Sequence, residues 1–191
     1  MQGRKTGATL SMIVIFEGPD GAGKDTLRKA FEKANNYKHT CVTRFFLSQL
    51  VYAWYYQRPL YTDPKKWRTY CRLVKKFVDT FDAVFVLVIA SPNILIERIS
   101  ARGENPAEGP DAIEAIRMFR TLINIIGIED RTIIINTSAA SIDLCRKVLQ
   151  EKIELLEKEN ENGRTEDGGE RTPKKDGRSK KGDGDIAGFK R

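Results

Sequence analysis

The stretch IVIFEGPDGAGKDTLRKAF, residues 13–31, decides the fold because three patterns follow one another in it without a break. An apolar segment typical of a buried strand leads into a glycine-rich turn, and an amphipathic helical pattern follows. The turn carries the pattern G-x-x-x-x-G-K, with Gly18, Gly21, Gly23 and Lys24. Backbone N–H groups of such a loop, the helix N-terminus and the lysine suit phosphate oxygens. The stretch therefore predicts a nucleotide-binding loop.

One position departs from the usual form of this loop. Asp25 stands where a Ser or Thr hydroxyl commonly binds magnesium, and Thr26 follows it. A carboxylate is also a hard oxygen donor, so Asp25 is predicted to bind Mg²⁺, although its charge should weaken binding of metal-free ATP. The alternative is a loop that keeps its shape but has lost the ability to transfer phosphate.

Three further β-rich segments follow the first one. All four are rich in Val and Ile without alternation, as expected of strands covered on both faces. They are Met12–Phe16, Thr40–Thr43, Val84–Ala90 and Thr132–Asn136. Helical patterns lie between and after them, which predicts an α/β fold with a parallel sheet of about four strands flanked by helices.

The chain divides into three segments by composition. Residues 1–11 form a predicted flexible leader, residues 12–159 a single domain, and residues 160–191 a polar, glycine-rich tail predicted to be disordered. The net charge is +7, and from residue 163 onward nine Lys and Arg face six Asp and Glu. Weak nucleic-acid contact by the basic tail is the alternative function for that segment.

Several classes of protein are disfavoured by composition. The longest apolar run, residues 83–90, is far shorter than the roughly 20 residues that span a bilayer, so we expect a cytoplasmic protein without a membrane partner. The three cysteines are widely spaced and odd in number, which disfavours a disulfide framework or a zinc cluster. His39 is the only histidine, so Mg²⁺ held by oxygens is the metal we expect.

The segment FEGPDGAGK resembles the loop of thymidylate kinases, which are P-loop nucleoside monophosphate kinases, and TRFFLSQLVY extends the likeness. The second segment places Arg44, Phe45, Ser48 and Tyr52 at the spacings of that family. Ser48 and Tyr52 are four residues apart, on one face of a predicted helix. The segments SPNILIERISARGE, AIRMFRTLI and IIINTS continue the resemblance in order, so that it covers about residues 12–158.

The resemblance implies a role for each matching residue. Asp20 would contact the sugar 3′-hydroxyl, Arg44 the acceptor phosphate, Ser48 the base and Tyr52 the sugar. Arg98 and Arg102 would face the phosphates or the adenine of ATP, and residues 103–110 would form a lid. The implied catalytic set is Lys24, Arg44, Arg98 and Arg102. The implied ATP-binding set is Gly18, Asp20, Gly21, Ala22, Gly23, Lys24, Asp25, Thr26 and Arg98. The implied acceptor set is Asp20, Arg44, Phe45, Ser48 and Tyr52.

The chain also departs from the family pattern. Thr43 replaces an aspartate before Arg44, Ala53 replaces a glutamine after the tyrosine, and the lid segment GENPAEGP has no basic residue. The expected function is ATP-dependent phosphorylation of a deoxynucleoside monophosphate, dTMP to dTDP, with Mg²⁺. Three alternatives stay open: a nucleoside kinase that uses Glu17 or Asp20 as base, a catalytically silent nucleotide-binding protein, and a nucleic-acid-binding protein. Homodimer formation through helices is compatible with each of them.

Overall fold

A computed structural model describes residues 11–106 and 111–166 of the chain, and side chains through residue 160. It confirms the predicted α/β class and the four-stranded, all-parallel sheet with flanking helices. The strands are β1 Ile13–Glu17, β2 Thr40–Thr43, β3 Val84–Ile89 and β4 Thr132–Asn136. Their order in the sheet is β2-β1-β3-β4, with Ile15 opposite both Val42 and Phe85. The carboxyl ends of β1 and β3 therefore lie side by side at the centre of the sheet.

Seven helices connect or follow the strands within the described residues. They are α1 Lys24–Ala34, α2 Leu47–Tyr55, α3 Pro59–Thr62, α4 Pro64–Phe81, α5 Pro92–Ser100, α6 Ala112–Ile126 and α7 Ile142–Glu166, with a 3₁₀ turn at Glu129–Arg131 before β4. The part of the chain through Glu154 forms one compact unit, and a second unit begins at Leu155. None of these helices is long and apolar enough to cross a lipid bilayer.

The main core lies between one face of the sheet and helices α2, α4 and α6. Ile15, Phe85 and Leu87 supply the sheet side of this core, and Leu50, Val74 and Leu122 are among its helical members. On the opposite face, Phe16 contacts Phe31 of α1, with the ring centroids 6.2 Å apart. Burial of both faces of β1 and β3 explains why these strands show no alternation.

The edge strand β4 differs from the prediction that all four strands are covered on both faces. Ile133 and Ile135 are buried, whereas Ile134 between them is 42% exposed. β4 is an edge strand, and only the face that carries Ile133 and Ile135 is buried. A run of β-branched residues alone does not distinguish this half-covered strand from a fully covered one.

Helix α4 begins after Asp63 and ends at Phe81. The sequence Thr62-Asp63-Pro64, a capping residue followed by proline, predicts the start of a helix. Asp63 caps α4 there, because its carboxylate accepts hydrogen bonds from the N–H groups of Lys65 (2.9 Å) and Lys66 (3.2 Å). Phe81, the last residue of α4, packs against Phe77 with ring centroids 4.9 Å apart but is 53% exposed. Helix α7 extends through Glu166 and so includes the first residues of the segment predicted as disordered; the rest of that segment, like residues 1–10, lies outside the described residues.

Candidate functional site

The glycine-rich loop lies between β1 and α1, where close packing requires its glycines. Gly18, Gly21 and Gly23 have φ values of 137°, 75° and 84°. A Cβ on Gly18 would clash with the carbonyl oxygen of Val88, and one on Gly21 would lie 2.8 Å from that of Leu95. The loop backbone is therefore pressed against β3 and α5, an arrangement that only glycine allows.

Lys24 places its ammonium group inside this loop. The side chain is buried, and Nζ donates a hydrogen bond of 2.6 Å to the carbonyl oxygen of Pro19. Burial lowers the pKa of Lys24 to about 8; the Glu17 and Asp25 carboxylates oppose this shift, and the Arg102 guanidinium adds to it. The ammonium is thus enclosed by the loop that the sequence predicts to bind phosphate.

Glu17, the last residue of β1, organises the start of α2. Its buried carboxylate accepts hydrogen bonds from the N–H groups of Phe45 (2.9 Å), Leu47 (2.9 Å) and Ser48 (3.2 Å), and from the Ser48 hydroxyl. Burial raises the pKa of Glu17, and these four hydrogen bonds counter that shift. Sequence reasoning considered Glu17 only as a base, because no local pattern connects it with α2.

Arg44 and Tyr52 meet on the loop carboxylate of Asp20. Arg44 forms an ion pair with Asp20, and the Tyr52 hydroxyl donates a 2.8 Å hydrogen bond to Asp20 Oδ2. Arg44 adopts a left-handed conformation with φ of 57°, and its N–H bonds to the carbonyl oxygen of Phe16 at the end of β1. The structure therefore brings together three residues that the resemblance assigned to the acceptor.

Two other members of that acceptor set, Ser48 and Phe45, have different partners. Ser48 is 5% exposed and directs its hydroxyl at Glu17, so it does not stand free to contact a base as expected. Phe45 packs against Phe46 and Phe77, with ring centroids 4.1 Å and 5.8 Å away. Ser48 thus binds Glu17, whereas Phe45 belongs to an aromatic cluster and is still 43% exposed.

A cavity of about 600 Å³ opens beside Asp20. Its walls come from the glycine-rich loop, α2, α5, the segment after α5 and the start of α6. The lining residues are Pro19, Asp20, Val51, Tyr52, Tyr56, Leu95, Ile96, Ile99, Glu104, Asn105, Pro106, Asp111, Ala112, Ala115 and Phe119. Cavities of this size are typical of small-molecule sites, and the mixture of apolar walls with a few polar groups is also typical. Part of the predicted lid, residues 107–110, lies outside the described residues.

Arg98, in α5, and Arg102, two residues after the end of that helix, have different surroundings. Arg98 donates from Nη1 to the carbonyl oxygen of Gly21 (3.3 Å) and to Thr137 Oγ1 (3.0 Å), and from Nη2 to the carbonyl oxygen of Thr137 (3.0 Å). Arg102 forms an ion pair of 3.2 Å with Glu104 and also influences Lys24 electrostatically. Arg98 thus contacts one loop carbonyl, that of Gly21, whereas the charge of Arg102 acts on the loop's ammonium group. Thr137 was missed, because a threonine after a strand carries no distinctive signal.

Asp25 and Thr26 lie at the solvent-facing start of α1. The Asp25 side chain is 70% exposed, with Oδ1 3.9 Å from Arg28 Nε. Within residues 11–106 and 111–166 no group of three or more His, Cys, Asp or Glu is placed to hold a metal ion. One exposed carboxylate still fits Mg²⁺ that is bound mainly by substrate phosphates and water.

Two comparisons with known proteins assign this chain to no family. No protein-family model matches the sequence, and no curated protein matches it. Any functional assignment therefore depends on the geometry of the loop, the Asp20 contacts and the cavity.

Proposed function

We propose that this chain is a P-loop nucleoside monophosphate kinase-like enzyme, which transfers the γ-phosphoryl group of ATP to a deoxynucleoside monophosphate, with dTMP as the acceptor. One observation carries the proposal. Asp20 belongs to the glycine-rich loop, lines the cavity and contacts both Arg44 and Tyr52. Asp20 thus connects the proposed donor loop with two proposed acceptor residues at the edge of the cavity, and this proximity supports in-line phosphoryl transfer.

The donor half consists of the glycine-rich loop and the start of α1. Loop N–H groups and the α1 N-terminus would bind the ATP phosphates, and Lys24 would reach the β- and γ-phosphates. The Lys24 ammonium already lies in the loop, on the carbonyl oxygen of Pro19, which phosphate oxygens would replace as its partner. Asp25 would hold Mg²⁺ together with phosphate oxygens, and the ion would neutralise charge on the β- and γ-phosphates.

The acceptor half consists of the cavity and Arg44. The nucleoside would lie against Tyr52 and the apolar wall of α5, with its phosphate directed toward Arg44 at the loop. An acceptor phosphate oxygen then attacks the γ-phosphorus as the bond to the leaving oxygen of ADP breaks. The acceptor oxygen is already anionic, so no strong general base is needed, and Lys24 with Arg102 would stabilise the charge on the transferred group.

A second candidate, a nucleoside kinase of the same fold, is favoured by the charge of the cavity. Its lining includes the carboxylates of Asp20, Glu104 and Asp111, and none of the described lining residues is Lys or Arg. A neutral nucleoside would meet less repulsion there than a monophosphate, and Asp20 could then accept the proton of a sugar hydroxyl.

A panel of acceptors separates these candidates. The full chain is incubated with ATP, Mg²⁺ and each of the four deoxynucleoside monophosphates or thymidine, and the phosphorylated product is measured directly alongside ADP. The proposal expects dTDP from dTMP and no product from thymidine. Product from thymidine alone would establish the nucleoside kinase, and ATP binding without any product would indicate a catalytically silent protein.

A further inference from the structure

Carbonyl groups of the glycine-rich loop accept hydrogen bonds from side chains that take no part in the proposed phosphoryl transfer. Thr137, directly after β4, is 5% exposed, and its hydroxyl lies 2.9 Å from the carbonyl oxygen of Ala22. Arg98 contacts the same hydroxyl, the Thr137 carbonyl and the Gly21 carbonyl. The network thus joins the loop, α5 and the end of β4, which are far apart in sequence.

The hydrogens of this network can be assigned from its geometry. The Thr137 hydroxyl accepts from Arg98 Nη1 and has one hydrogen of its own to donate. Its two carbonyl neighbours are Ala22 at 2.9 Å and Ile89 at 3.3 Å, so the shorter contact assigns the donation to Ala22. Two successive loop carbonyls, those of Gly21 and Ala22, are therefore held by one pair of side chains.

Fixing a carbonyl also fixes the N–H group of the next residue. In a planar trans peptide the C=O and the following N–H point in opposite directions, and the described chain has no cis peptide bond. Holding the Gly21 and Ala22 carbonyls toward Arg98 and Thr137 turns the N–H groups of Ala22 and Gly23 to the other side of the loop. The Ala22 N–H lies 3.4 Å from the Pro19 carbonyl oxygen, the same atom that accepts from Lys24.

We propose that Arg98 and Thr137 are positioning residues, which aim the loop N–H groups at the donor phosphates without touching the nucleotide themselves. This role for Arg98 differs from the expectation that it faces the phosphates or the adenine. The inference rests on the donor half of the proposed function, nucleotide binding by the loop, and is independent of the acceptor. Arg98 holds the Gly21 carbonyl and Thr137 the Ala22 carbonyl, and the two side chains form one unit because Arg98 donates to the Thr137 hydroxyl.

The first test measures nucleotide affinity without requiring turnover. Binding of ATP to the full chain is measured by calorimetry for Thr137→Val, which removes the hydroxyl at nearly constant volume, and for Thr137→Ser, which keeps it. Losing the hydroxyl should weaken ATP binding about tenfold, while the serine variant should stay within about twofold of the original chain. The acceptor KM, where turnover is observed, should stay unchanged in both variants.

A double-mutant cycle then distinguishes positioning from direct phosphate contact. Arg98→Ala should weaken ATP binding in the original chain but add little to Thr137→Val, because either change removes the Arg98–Thr137 hydroxyl bond that joins the holders of the two neighbouring carbonyls. If Arg98 contacts the phosphates, its removal should weaken binding by the same factor in both backgrounds, and that result would overturn the inference. Thermal unfolding of each variant is measured in parallel; should Thr137→Val fail to fold, Thr137→Ala, which also lacks the hydroxyl, replaces it in the cycle, with the same expected loss of about tenfold.

The outcomes for the two proposals are separable. ATP affinity that follows the predicted order, with no transfer to any acceptor, would refute the proposed kinase activity and support the positioning role. Normal ATP affinity in Thr137→Val, together with active transfer, would overturn the positioning role alone. Absence of ATP binding in the original chain would overturn both.

Discussion

The proposed donor loop, residues 18–24, and the proposed acceptor segment, residues 44–56, meet at Asp20 but are held in place by different means. The donor loop is fixed through its backbone, with glycines packed against β3 and α5 and carbonyls bound by Arg98 and Thr137. The acceptor segment is fixed by the side chains of Glu17 and Asp20. The loop thus takes its shape from its own glycines and from β3, α5 and the end of β4, whereas the acceptor segment takes its shape from carboxylates at the end of β1 and in the loop.

Removing the loop ammonium should give the largest effect and leave the acceptor segment intact. Lys24→Ala should lower phosphoryl transfer by about 100- to 1000-fold, because the charge that stabilises the transferred group is lost. The rate is measured by a coupled ADP-release assay. Lys29→Ala, an exposed lysine on the same helix, serves as the matched control and should keep the original rate. Undiminished turnover in Lys24→Ala would show that the loop is not the donor site.

Removing the Glu17 carboxylate, which connects the end of β1 with the start of α2, should reduce the free energy of unfolding. Glu17→Ala leaves the N–H groups of Phe45, Leu47 and Ser48 without their acceptor, so we expect a loss of about 2 to 4 kcal/mol in the free energy of unfolding. Urea denaturation measures the change. Glu97→Ala, at an exposed position of α5, is the control and should change stability by less than about 0.5 kcal/mol. Equal stability in the two variants would contradict the role given to Glu17.

Removing the acceptor cation should affect one region only. Arg44→Ala should raise the acceptor KM, or lower kcat, by about 10- to 30-fold because a charge-assisted contact to the acceptor phosphate is lost. ATP affinity, measured by calorimetry, should stay within about twofold of the original. Arg68→Ala, at an exposed position of α4, is the control. A selective loss of ATP affinity in Arg44→Ala would move Arg44 to the donor side.

The dependence of kcat/KM for ATP on pH should be the smallest of these effects. The pKa of Lys24 is about 8 because burial disfavours its charge, so in the ligand-free protein the ammonium is lost as the pH rises through that value. Phosphate binding needs the protonated form, and kcat/KM for ATP should therefore fall several-fold between about pH 7.5 and 9. The free energy of unfolding should change in the opposite direction. Because the pKa of Lys24 is lower in the folded chain than in the unfolded chain, the folded state gains stability as the pH rises from about 8 to 10.5. A flat kcat/KM profile over this range would contradict the assignment.

The sequence allowed much of the donor region to be predicted, because its signals are local. The strand, the glycine turn and α1 follow one another within residues 13–34, and the capping role of Asp63 depends on its immediate neighbours. The exact bounds of β2 and β4 also agreed with their β-branched runs. Each of these features depends on residues a few positions apart, where spacing determines geometry.

The acceptor region was harder to predict because its contacts are distant in sequence. Ser48 and Tyr52 share a helix face, yet one contacts Glu17 and the other Asp20. Arg98 contacts Thr137, 39 residues away, and nothing in the helical spacing of Arg98 and Arg102 distinguishes their partners. The choice among such partners is made by tertiary packing, which periodicity does not encode.

A bisubstrate ligand tests the shared cleft most directly. Adenosine and thymidine joined through five phosphates can bind across both halves only if the loop and the Arg44 side of the cavity face one another. We predict that this ligand inhibits competitively against ATP and against dTMP, and that Lys24→Ala and Arg44→Ala each weaken it. Inhibition competitive with ATP alone, and unaffected by Arg44→Ala, would contradict the placement of both substrates in one cleft.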